Sequence, residues 1–268
     1  MINYRQGKTR YIPNELGSLY IDESKLNPNE QPVIYIGGQM EHRFHAVEQT
    51  GLTGDPGHNM FTGSWFYDYP LFSKNKKEFN AENFANNLLT ALEYANLHDV
   101  VFVTESFGGT IASLATKSDR VDKVIAIHPS ILGTPLANPK YLSIFTNQFN
   151  AKQKAIASLL KVIVNPEYGF EQDNFNGVDL TKVDIDKLLV IGSYIDRQKE
   201  TNPIVLELDD MIEMVTSNRS DGIVVFEPNL FEQLGIPYML DDENTNHFQA
   251  GSKEHIAKVY QKVMKKNA

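Results

Sequence analysis

Residues 100–116, VVFVTESFGGTIASLAT, hold a serine where a serine can react. A strand-forming run leads into Thr104-Glu105-Ser106, followed by an aromatic residue, two glycines and the small residues of a helix. In an open α/β sheet, ligands meet the protein beyond the carboxyl ends of the strands, so the residue between a central strand and its helix faces whatever binds there. Ser106 occupies that position. Gly108 and Gly109 permit a tight turn and close helix approach, and the amide of Phe107, at the helix start, suits an oxygen that gains negative charge. A serine hydroxyl is a weak nucleophile until a base takes its proton, so a histidine and an orienting acid must converge on it. The chain has seven histidines and no cysteine, which removes disulfides, thiolate metal sites and a thiol nucleophile together.

The elements that must position these groups alternate between β-rich runs and segments of helical period. That alternation predicts an α/β fold with a mainly parallel central sheet and helices on both faces. The clearest strands are PVIYIG (32–37), DVVFVTE (99–105), KVIAIH (123–128), KLLVIG (187–192) and IPYML (236–240). AENFANNLLTALEYANL (81–97) reads as a crossover helix between the SWFYDYPLF segment and the next strand. A single domain over residues 1–268 is expected, interrupted at about 134–186 by a helical, apolar segment and a polar loop. That insertion reads either as a lid or cap over the strand ends or as further packed helices.

A formal charge of -9 argues against nucleic acid as a partner, because approach to a polyanion needs clustered cations. The basic tail KVYQKVMKKNA reads as cations at the negative end of a terminal helix. With no apolar signal core and no run long enough to span a bilayer, a cytoplasmic protein is expected. The cluster Asp241, Asp242 and Glu243 lacks the alternating ligands of a calcium loop and reads as a solvated turn. No phosphate loop, dinucleotide fingerprint or zinc spacing is present, so neither metal nor organic cofactor is expected. The aromatic run MFTGSWFYDYPLF reads first as core and second as an apolar substrate wall.

Thr104-Glu105-Ser106-Phe107-Gly108 resembles the nucleophile elbow of the α/β-hydrolase superfamily, small-x-Ser-x-small, with Thr104 where glycine is usual. GSWFYDYP and HPSILGTPLA also resemble lipase segments, so the similarity spans most of the chain. The resemblance implies the order serine, acid, histidine. His42, His45, His58 and His98 precede the serine, and His255 falls inside the last helical pattern, which leaves His128 and His247. The family places its base in the loop holding His247, and the strand end holding His128 lines its substrate pocket. For the acid, SNRSDGIVV resembles the SDG segment of lipase-like members and favours Asp221, with Asp196 as the alternative and Asp209 or Asp210 after it. The family's second oxyanion donor comes from the loop after an earlier strand. In VIYIGGQMEH that is the amide of Gln39, with Met40 as substitute and neighbour of the substrate.

The implied activity is hydrolysis of carboxylic esters, as an esterase or lipase-like enzyme acting on a small ester or lipid through an acyl-enzyme. Thioester cleavage or acyl transfer on the same three residues, and a binding protein that keeps the fold, are the alternatives.

Overall fold

Strands with apolar residues at both odd and even positions need cover on two faces, and the chain supplies it. The computed structural model describes residues 2–4, 8–14, 16–22, 29, 31–38, 65–69, 80–137, 147–163, 177–241 and 245–266. Among them are strands β1 (Ile2–Tyr4), β2 (Lys8–Asn14), β3 (Gly17–Asp22), β4 (Val33–Ile36), β5 (Trp65–Asp68), β6 (Val100–Glu105), β7 (Val121–Ile127), β8 (Leu188–Gly192) and β9 (Tyr238–Leu240). They form one sheet in the order β1-β2-β3-β5-β4-β6-β7-β8-β9. From β5 through β9 every neighbouring pair is parallel, while β1, β2 and β3 pair antiparallel and β3 joins β5 antiparallel.

Among the described residues the α-helices are α1 (Ala81–Tyr94), α2 (Phe107–Ala115), α3 (Ala151–Ile163), α4 (Pro203–Thr216), α5 (Pro228–Leu234), α6 (His247–Ala250) and α7 (Lys253–Lys266). Asn80 caps α1 by accepting from the Asn83 amide at 2.8 Å. On one face of the sheet Ile34, Ile36, Phe102, Val124 and Ala126 pack against Phe84, Leu88 and Leu92 of α1 and Ile111 and Ala115 of α2. The alternate residues Tyr35, Val101, Val103, Ile125 and Ile127 turn to the other face and pack on Ile256, Val259 and Val263 of α7. The period of two along each strand therefore builds two cores, and each fully buried Val or Ile contributes about 1.5–3 kcal/mol.

The register aligns the carboxyl ends of the central strands. Glu105 pairs with Ile127, Ile127 with Ile191, and Gly192 with Leu240. Ser106, His128 and Asp241, each the residue after its strand, thus leave the sheet at one edge.

The five strands expected from the sequence are present with ends shifted by one or two residues, and the crossover helix is present but ends three residues early, at Tyr94. The antiparallel β1, β2 and β3 were not foreseen. Within the expected insertion, α3 packs Ala157, and the preceding Phe149, against Leu208, Met211 and Ile212 of α4. Residues 138–146 and 164–176 of that segment lie outside the described residues. No helix among the described residues is long and apolar enough to cross a membrane.

Candidate active site

The β6–α2 junction forces Ser106 into a conformation that few residues other than glycine adopt, φ 51° and ψ -122°. Such a backbone costs on the order of 1–3 kcal/mol and persists only where its surroundings fix it. Here the Ser106 amide donates to the Ile127 carbonyl at 3.1 Å, and the Ser106 carbonyl accepts from Gly109 at 3.0 Å and Ser130 at 3.3 Å. A side chain at Gly108 would collide with the carbonyl oxygens of Ile36 and Gly37. Thr104, the departure from a glycine at that position of the turn, is fully buried beside Gly109, where an added Cβ would lie 2.5 Å from Pro129 Cβ and 3.3 Å from Thr104 Oγ1.

His247 Nε2 lies 2.9 Å from Ser106 Oγ, and His247 Nδ1 lies 2.8 Å from Asp221 Oδ2. The histidine opens α6 behind an Asn246 cap, whose side chain and Gln249 bond reciprocally to each other's backbone amides. Its own amide donates to the Asp221 carbonyl at 3.0 Å, which ties the two residues together through the backbone as well. Asp221 is fully buried, and its Oδ1 accepts from the amides of Ile223 at 2.9 Å and Val224 at 2.8 Å. The preceding Ser220 donates to Asp209 Oδ1 at 2.6 Å, and Asp209 Oδ2 accepts from Arg197 Nε at 2.8 Å, so the turn is anchored on α4.

Burial opposes ionisation of Asp221, but the His247 charge and the hydrogen bonds from His128 and His247 outweigh it and hold the carboxyl below its usual range. Burial likewise disfavours a charged His247, whereas Asp221, by charge and hydrogen bond, and Glu105, by charge, together raise its pKa. Glu105 Oε1 lies 3.6 Å from His247 Nε2.

The sequence-derived candidates separate cleanly. Ser106, Asp221 and His247 come together, although they are spread over the last two thirds of the chain. Asp196 instead accepts from the Gln198 amide at 3.0 Å in its own turn, Asp209 holds Ser220 and Arg197, and Asp210 pairs with Arg197 at 2.9 Å. Phe107 is the first residue of α2, with its ring buried 5.8 Å from that of Tyr69. Gln39 and Met40 lie outside the described residues, but Gly38 ends the described loop beside Ser106: a Cβ there would sit 2.9 Å from Ser106 Cβ.

His128 departs from the expectation. A substrate-lining residue needs exposed surface, and the His128 side chain has none; Nδ1 meets Asp221 Oδ2 at 2.7 Å and Nε2 meets Asp241 Oδ2 at 3.1 Å. Asp241, expected in a solvated turn, has a side chain only 3% exposed and also accepts from His255 Nε2 at 2.6 Å. Asp242 and Glu243 lie outside the described residues. Asp241, His255 and Glu105 were thus missed as members of the site. The signal for Asp241 was its place directly after a parallel strand, on the ligand-binding edge. Among the described residues, two groupings of His and Asp have their ligand-type atoms close together, His128 with Asp241 and His255, and His128 with Asp221 and His247. In both, the ring nitrogens bond directly to carboxylate oxygens, as in a hydrogen-bonded chain.

No protein-family model and no curated protein matches the chain by sequence. Solved structures match it over nearly its whole length. A provisionally assigned aryl esterase from Burkholderia cenocepacia aligns with a TM-score of 0.54 and 13% identity, covering 96% of this chain and 98% of that one. A carboxylesterase from Nitrososphaera gargenis aligns with a TM-score of 0.53 and 12% identity over 95% of each chain. A proline iminopeptidase-related protein from Thermus thermophilus aligns with a TM-score of 0.51 and 12% identity, covering 96% and 97%. At such identity the likeness is one of fold, and it agrees with the strand order and the strained serine turn: this chain has the α/β-hydrolase fold.

Proposed function

We propose that the protein is a serine hydrolase that cleaves carboxylic esters through an acyl-enzyme. The observation that carries this reading is the continuous relay from Ser106 Oγ through His247 to Asp221, with links of 2.9 and 2.8 Å.

Neutral His247 donates its Nδ1 proton to Asp221, which leaves the Nε2 lone pair facing the serine hydroxyl. As Ser106 Oγ attacks the ester carbonyl carbon, His247 takes the hydroxyl proton and Asp221 stabilises the resulting imidazolium. The carbonyl electron pair moves onto oxygen, to which the Phe107 amide at the positive end of α2 donates a hydrogen bond; the second donor is the one that the family resemblance assigns to the Gln39 amide. Collapse breaks the bond to the alkoxy oxygen, and His247 delivers its proton to the departing alcohol. Water then repeats the sequence: His247 removes its proton, the tetrahedral species forms again, and Ser106 leaves with the proton restored. The support for esters in particular is that the aligned structures include a carboxylesterase and a provisionally assigned aryl esterase.

Stopped-flow hydrolysis of p-nitrophenyl esters of short and long acyl chains tests this reading. Expected is a burst of about one nitrophenolate per protein chain and then slower turnover, with Ser106→Ala abolishing both. Ester cleavage of equal rate in Ser106→Ala would remove the reading.

A further inference from the structure

Asp221 Oδ2 is shared by two imidazoles. Besides His247, His128 presents its Nδ1 at 2.7 Å, and the opposite nitrogen of His128 meets a second carboxylate, Asp241, at 3.1 Å. Resting on the proposed hydrolase reading, we infer that His128 is a standing imidazolium clamped between Asp221 and Asp241, and that as a positioning residue it holds down the basicity of His247.

Hydrogen-bond chemistry carries the first half. A neutral imidazole has one N–H and one lone pair, so between two ionised carboxylates it would turn its lone pair on an oxygen that has only lone pairs to offer. With both nitrogens protonated, each contact becomes a charge-assisted hydrogen bond, and no solvent reaches the ring to satisfy it otherwise. Asp221 is then fully engaged: two backbone amides on Oδ1 and two imidazole N–H groups on Oδ2. Burial disfavours the His128 cation, but its hydrogen bonds to Asp221 and Asp241 overcome that and raise its pKa to about 9.

The backbone supports a fixed role. His128 takes the left-handed conformation, φ 45°, at the end of β7, with its amide donating to the Ile191 carbonyl at 2.6 Å. A histidine there carries strain that simple core packing does not require. Asp241 is held in turn by His255 from α7 at 2.6 Å, so the chain of contacts runs Ser106, His247, Asp221, His128, Asp241, His255 across three strand ends and two helices.

The second half follows from charge. Among the described residues, the titratable groups facing His128 are Asp221, Asp241, His247 and His255, the last two with ring centroids 6.4 Å away; Glu105 reaches His247 from β6. The His128 cation offsets part of the Asp221 charge and so opposes protonation of His247, against the pull of Asp221 and Glu105. The base stays unprotonated, and able to accept the serine proton, to lower pH than an undivided Asp221 would allow.

Two measurements test this. In wild-type protein labelled with 15N-histidine, the His128 ring, assigned through its backbone, should show two protonated nitrogens across pH 6 to 8, values chosen around the ordinary histidine pKa of about 6.5. A neutral His128 over that range overturns the inference, and the spectrum needs no substrate. In His128→Gln, the acid limb of the kcat/KM profile should move up by about one pH unit. A uniform loss of kcat at every pH, with the limb unmoved, would assign His128 a purely structural role and also overturn it. If His128→Gln fails to fold, the wild-type spectrum decides alone. Loss of the hydrolase reading is distinguishable, since it requires Ser106→Ala to keep its activity.

Discussion

His247 Nε2 stands 2.9 Å from Ser106 Oγ although 141 positions separate the two residues. The strand register achieves this: β6 delivers the serine to the sheet edge, and the loop after β9 returns the histidine over it. Ser193 Oγ donates to the Thr245 carbonyl at 2.5 Å and Asn246 donates to Glu200 at 2.9 Å, so the returning loop is tied to the strand end of β8 and its following turn.

The acid assignment separates on a pair of isosteric variants. Asp221→Asn should lower kcat/KM for a short ester by about 10³- to 10⁴-fold, because the amide cannot hold the imidazole tautomer or stabilise its cation. Asp196→Asn should stay within about threefold of wild type, since Asp196 closes only its own turn. Equal losses in the two would contradict the placement of the acid.

Gly108 gives a sign test of the elbow. On an open helix, glycine to alanine stabilises by about 1 kcal/mol. At Gly108 the added methyl meets the Ile36 and Gly37 carbonyl oxygens, so Gly108→Ala should instead cost about 1–3 kcal/mol in urea denaturation. A gain in stability would show that the β4–α2 contact is looser than described.

The strands around the site were legible because VVFVTE, KVIAIH and KLLVIG are near-continuous apolar runs, as a sheet covered on both faces demands. The serine turn was legible for a local reason too: strand, serine and glycines are adjacent in sequence. The first three strands were not read, since KTRYIPN carries polar residues and a proline, and β3 finds its partner β5 far along the chain. Asp241 was misjudged because its neighbours Asp242 and Glu243 made the local sequence look solvated; its partners, His128 and His255, are supplied by tertiary structure. His128 was placed near the site from its strand end, but which way a side chain points from a strained residue is not written in strand periodicity.

Thermal stability should carry the imprint of the charged chain. The His128 pKa is raised, so the stability it lends is complete below its ordinary value of 6.5 and disappears as pH rises through about 9. The pKa values of Asp221 and Asp241 are lowered, so their contribution is present above 3.8 and disappears as pH falls. Tm measured by calorimetry should therefore be highest between about pH 4 and 6.5 and fall toward pH 9. His128→Gln should flatten the alkaline decline. An unchanged decline in that variant would locate its cause elsewhere.

Intact-mass analysis after treatment with a fluorophosphonate is the most direct test, because that reagent phosphonylates a serine only where a base has activated it. Expected is a single adduct on the wild-type chain that peptide mapping assigns to Ser106, strongly slowed in His247→Ala and absent in Ser106→Ala. No adduct on the folded wild-type protein, or one that persists in Ser106→Ala, would contradict an activated serine at this site.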